Sequence, residues 1–67
     1  MKRTALMKEL AKIAKTHGET INGPRRGKHD IYNCAGLTFP VPRHKEIAEG
    51  TAKAIIQGLS THLENRS

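Results

Sequence analysis

Two stripes of apolar residues at helical spacing, one near each end of the sequence, constrain this chain most. Leu6, Leu10, Ile13 and Ala14, with Met7 at the margin, make the first; Ala52, Ile55, Ile56, Leu59 and Leu63 make the second. A 3.6-residue repeat aligns each set on one helix face, and such a face needs something apolar to cover it. The spacing predicts a helix over residues 4–16, with Thr4 suited to its cap and Gly18 to its stop. It predicts a second helix starting between Glu49 and Thr51, which Gly58 weakens slightly. Between the stripes the period changes. Thr20-Ile21-Asn22 reads as a short strand, Gly23-Pro24-Arg25-Arg26-Gly27 as a loop, and residues 28–33 as a second strand. Cys34-Ala35-Gly36 reads as a turn, and Leu37-Thr38-Phe39-Pro40-Val41 alternates as a third strand. Pro40 has no N–H for a ladder, so that strand belongs at a sheet edge. Pro42-Arg43-His44-Lys45-Glu46 connects to the last helix. The expectation is one α+β domain over residues 1–67, with two helices on one face of a three-stranded antiparallel sheet.

The core of such a domain is thin. Leu, Ile, Val and Phe number 13 of 67 residues, with a net charge of +6, close to the composition of disordered chains. A chain of this size buries only about 60% of its unfolded surface. The ordered pattern argues for folding, with a partner chain reinforcing the core. Cys34 is the single cysteine, so no internal disulfide forms. Lys8, Glu9 and Lys12 interrupt the only apolar stretch after the basic N-terminus, so neither a signal peptide nor a membrane span is expected. That leaves a cytoplasmic location with no membrane partner.

Charge narrows the function. Twelve Lys/Arg against six Asp/Glu is the electrostatic footprint of a nucleic-acid binder. Between Pro24 and Lys45 stand Arg25, Arg26, Lys28, Arg43 and Lys45 with one acid, Asp30. These five cations are the candidate RNA-binding residues, whereas Lys8, Lys12 and Lys15 read as a solvated helix face. Aromatic residues number two, Tyr32 and Phe39, too few for the stacking platforms that bind single strands. Gripping RNA through its backbone charge fits better.

The four histidines divide. His17 suits a helix C-terminus and His62 a surface near the end of the last helix. His29 and His44 each stand among cations, which favours the neutral imidazole that a general base requires. A base takes the 2′-hydroxyl proton of RNA, cations stabilise the pentavalent phosphate, and an acid protonates the departing 5′-oxygen. His29 is therefore a candidate base, or else a strand-start histidine with a local hydrogen bond. His44 is a candidate second acid/base or phosphate ligand, or else a structural residue at the sheet–helix corner. The spacings of His29, His44 and Cys34 match no metal-ligand pattern, and neither metal nor cofactor is expected.

Helix–strand–strand–strand–helix is also the order of the double-stranded-RNA-binding domain, an analogy at fold level only. A closer resemblance lies in ordered motifs: Gly27-Lys28-His29-Asp30-Ile31-Tyr32, Phe39-Pro40-Val41-Pro42-Arg43-His44-Lys45-Glu46-Ile47, and Gly50-Thr51-Ala52-Lys53-Ala54-Ile55-Ile56. This set, with the basic opening Met1-Lys2-Arg3-Thr4, resembles the HicA toxins, small mRNA interferases of bacterial type II toxin–antitoxin systems. It covers nearly the whole chain. The resemblance implies a double-stranded-RNA-binding-like fold, ribonuclease activity against mRNA, neutralisation by a HicB-like antitoxin, and His29 as the catalytic histidine. Two departures stand out: Lys28 occupies a position that is often small and polar in the family, and residues 22–26 are more loop-like than usual.

Strand parity leaves the direction of His29 open. It shares parity with Ile31 and Asn33, so a core-facing Ile31 turns His29 toward the helices, whereas a core-facing Tyr32 turns it to the open face.

Overall fold

A computed structural model describes residues 1–65 of the chain. Its order is α1 (Arg3–Thr16), β1 (Asn22–Arg25), β2 (Asp30–Cys34), β3 (Leu37–Val41) and α2 (Glu49–Glu64). The strands form one antiparallel sheet in the order β1-β2-β3. The α-β-β-β-α arrangement expected from the two stripes is the one observed.

Both apolar stripes meet one face of the sheet. Leu6, Leu10 and Ala14 of α1 and Ala52, Leu59 and Leu63 of α2 pack with Cys34, Phe39, Val41 and Ile47 into a single buried cluster. On β2 the buried parity is that of Cys34, so Tyr32 and Asp30 turn toward the helices, while Ile31 and Asn33 turn to the open face. Tyr32 lies opposite Phe39, and their rings stack with centroids 6.1 Å apart. The parity question is thereby answered in favour of an inward Tyr32.

Helix α1 ends as its sequence dictates. The N–H of Glu19 reaches the Ala14 carbonyl (2.8 Å) and that of Gly18 reaches Lys15 (3.0 Å). This Schellman closure holds residue 18 at φ +72, where glycine carries no Cβ penalty. The start differs from expectation. Thr4 is not the cap: the helix begins at Arg3 after Lys2, with no side-chain cap. The N–H of its first residue, Arg3, instead donates to the Lys45 carbonyl oxygen (2.8 Å), and the regular ladder opens with Leu6 on Lys2 (3.0 Å). A bridge between Lys2 and Glu46 continues that tie, so α1 is docked on the corner after β3.

Two sheet boundaries also differ. The first strand is not Thr20–Asn22 but Asn22–Arg25, within the segment expected to be a loop. Pro24 is tolerated there because β1 is an edge strand, and the register shifts between Asn22 and Arg25. Gly23 makes the irregularity possible. It has φ +127, and a Cβ there would lie 2.9 Å from the Ile31 carbonyl oxygen. The second strand begins at Asp30 rather than residue 28 and includes Cys34, which is buried in the core rather than lying in a turn. The turn is Ala35-Gly36 alone, with φ +53 and +88, the signs of a type I′ hairpin turn. His62 is not a surface residue. It is half-buried, and its Nε2 donates to the Ala35 carbonyl oxygen at 2.8 Å, tying α2 to that turn. Among the described residues, no helix is long and apolar enough to cross a membrane.

Candidate nucleic-acid interface

The end of the sheet opposite the Ala35-Gly36 turn carries the charge. Arg25 is the last residue of β1, opposite Ile31, and Asp30 the first of β2, opposite Val41. Residues 26–29 join the two strands as an exposed loop, so both loop ends are set by ladder pairing. His29 is exposed, immediately before β2. By parity it would follow Ile31 to the open face. As a loop residue it instead lines a groove of about 610 Å³ between the free edge of β3 and α2. Phe39, Pro40 and Pro42 form one wall, and Thr51, Ala54 and Ile55 form the other.

Asp30 organises this end. Its Oδ1 accepts from Arg43 Nε at 2.8 Å, and its Oδ2 accepts from Arg3 Nη2 at 2.7 Å. Arg43 Nη2 also donates to the Gly27 carbonyl oxygen at 2.6 Å. Arg3 reaches further, with Nε on the Pro42 carbonyl oxygen (3.1 Å) and Nη2 on Tyr32 Oη (3.2 Å). The Arg43 hydrogen bond holds the Asp30 carboxyl below its ordinary value of 3.8 against the opposing effect of burial. The charges of Arg43, Arg3 and Arg26 act in the same direction as the bond. The carboxylate thus links α1, the β1–β2 loop and the corner after β3.

The residues singled out in the sequence do not form one patch. Arg26 and Lys28 are exposed on the loop beside His29, and among the described residues no hydrogen bond or ion pair engages their side chains. Arg25 lines a separate hollow on the open sheet face with Asn22, Ile31 and Thr38. Lys45 lines a third, of about 490 Å³, with Lys2, Arg3 and Arg43 at the start of α1. Arg43 is engaged in the network around Asp30. His44 is exposed in the bend that follows, and the Arg43–Gly27 bond joins the two segments that carry His44 and His29.

Arg3 and Asp30 did not emerge as site residues from the sequence, although Asp30 is the lone acid between Pro24 and Lys45. That isolation is the signal that marks it: a single carboxylate among five cations has partners within reach. Among the described residues, no three His, Cys, Asp or Glu side chains gather as metal ligands do. No protein-family model matches this chain, and comparison with curated proteins and with solved structures gives no match.

Proposed function

We propose that this chain is a HicA-like toxin, a metal-independent endoribonuclease that cleaves mRNA in the cytoplasm and is neutralised by a HicB-like antitoxin. The reading is supported by the ordered motifs of the sequence, by the α-β-β-β-α order and, above all, by one observation. An exposed imidazole, His29, stands beside the exposed cations Arg26 and Lys28 at the edge of a groove.

In this reading His29 accepts the proton of a ribose 2′-hydroxyl. The 2′-oxygen attacks the adjacent phosphorus, the bond to the 5′-oxygen breaks, and the products are a 2′,3′-cyclic phosphate and a free 5′-hydroxyl. Arg26 and Lys28 stabilise the extra charge on the phosphorane, while Arg25 and Lys45 bind flanking phosphates. His44, on the segment tied to the loop by Arg43, is the candidate that protonates the departing 5′-oxygen. The antitoxin presents an acidic or apolar surface to these cations and stabilises the folded toxin by mass action.

The test is cleavage of RNA by the purified chain in EDTA. The expected outcome is 2′,3′-cyclic phosphate ends from the wild type. His29→Ala should show a loss of at least about 100-fold, the scale of a general base, with RNA affinity and circular dichroism unchanged. A second reading, a binding module without catalysis, draws on the same cations and does not need His29. RNA binding without cleavage by the wild type, or full cleavage by His29→Ala, would overturn the catalytic assignment.

A further inference from the structure

Residues 26–29 have few internal reasons to hold one shape. They are exposed, and among the described residues no backbone hydrogen bond outside the regular elements involves their N–H groups. Ladder pairing fixes the neighbours Arg25 and Asp30 but leaves the four residues between them free to move as a loop. Among the described residues a hydrogen bond from outside the loop interrupts that freedom, that of Arg43 Nη2 to the carbonyl oxygen of Gly27 at 2.6 Å. Arg43 can make it because its Nε is already seated on Asp30 Oδ1 at 2.8 Å. Asp30 in turn is held from the other side by Arg3 at 2.7 Å.

We propose that Asp30 and Arg43 act as a clamp that fixes loop 26–29 and thereby sets the position of His29 at the groove. They are positioning residues, and Arg43 is not primarily a phosphate ligand. This inference rests on the nuclease reading for its catalytic consequence, but the clamp itself does not.

Three features support a positional role over a stabilising one. The Arg43 side chain is 49% exposed, and exposed ion pairs contribute little to stability. The two Arg43 bonds use different nitrogens of one planar fork, one to a carboxylate and one to a backbone carbonyl. That geometry matches the rigid guanidinium fork, whereas an ammonium would have to serve both acceptors from one nitrogen at the end of a flexible stem. Finally, the contact falls two residues before His29, where a small displacement matters most. A misplacement of about 1 Å at a reacting group can cost on the order of 100-fold in rate.

The experiment uses Arg43→Lys in the full chain, which keeps the charge and removes the fork. Two readouts are taken: NMR order parameters of the Lys28 and His29 amides, and single-turnover cleavage at saturating RNA alongside RNA affinity. The expected result is a fall in the loop order parameters from about 0.85 toward about 0.6. The saturated rate should drop roughly 10- to 100-fold, with RNA affinity changed less than about threefold. Unchanged order parameters would overturn the clamp. So would a rate loss that merely tracks a loss of affinity, because Arg43 would then be a phosphate ligand. Should Arg43→Lys fail to fold, Asp30→Asn removes the carboxylate charge with little change of shape and gives the same two readouts. If the wild-type chain cleaves no RNA, the nuclease reading falls by itself, and the order parameters still decide the clamp.

Discussion

At its turn end the β2–β3 hairpin closes over Cys34, which is fully buried, and a hydrogen bond from His62 fastens the turn to α2. At the other end the same two strands run out into Asp30 and Arg43, and what lies beyond them is exposed loop and charge. The first end lies against the apolar cluster, which also runs along the hairpin to Val41, opposite Asp30. The second places a carboxylate, three arginines and an exposed histidine within one loop and one corner. Apolar burial is non-directional and scales with area, so it stabilises the fold without specifying where a side chain points. Charge-assisted hydrogen bonds add little net stability at an exposed site but are strongly directional. Stability and position are thus assigned to different parts of one hairpin, its buried face and its exposed charged end.

The largest effect expected from this division is on folding. Leu10 is fully buried between α1 and the rest of the core, so Leu10→Ala should cost about 2–5 kcal/mol. In a domain this small, that loss is comparable with the whole stability. Arg26→Ala, on the exposed loop, should change stability by less than about 0.5 kcal/mol. Urea unfolding of the two variants measures both. Equal losses would mean that the charged end shares in holding the fold together.

A smaller effect follows from the depressed carboxyl of Asp30. Its folded-state value lies below the ordinary 3.8, so its contribution is present above the ordinary value and lost as pH falls through the lowered one. The stability difference between wild type and Asp30→Asn should therefore be flat from about pH 5 to 8 and shrink in acid. A difference that already changes near neutrality in paired urea titrations would contradict this.

The apolar end was the more legible in the sequence. Helical period placed both helices, and alternation placed β3 with its residues in the right parity. The first strand was misread because Gly23 and Pro24 are loop signals, and only pairing with β2 makes an irregular edge strand of them. His62 was also misjudged, although it follows Leu59 by three residues and precedes Leu63, which puts it on the buried stripe. The charged end was legible in composition but not in geometry. Five cations and two histidines pointed to a polyanion site, yet which of them are engaged depends on Asp30, and pairing across 13 residues leaves no periodic trace. Arg3 lies 27 residues from the same carboxylate, further still beyond any local pattern.

The smallest predicted effect probes the turn that His62 fastens. Ala35 has φ +53, the left-handed region, which costs a residue with a Cβ roughly 1–2 kcal/mol. Ala35→Gly removes that cost but gives the unfolded chain more freedom, which offsets about 0.4–1 kcal/mol of the gain. The His62 bond is to the backbone carbonyl of residue 35 and survives the change. The net expectation is a gain below about 1 kcal/mol, read as a small rise in the urea midpoint with an unchanged slope. The sign carries the information. If residue 35 had an ordinary negative φ, the same substitution would destabilise the hairpin, because only the entropic effect of glycine would remain. A lowered midpoint would therefore refute the type I′ turn, and with it the account of how the apolar end of the sheet is closed.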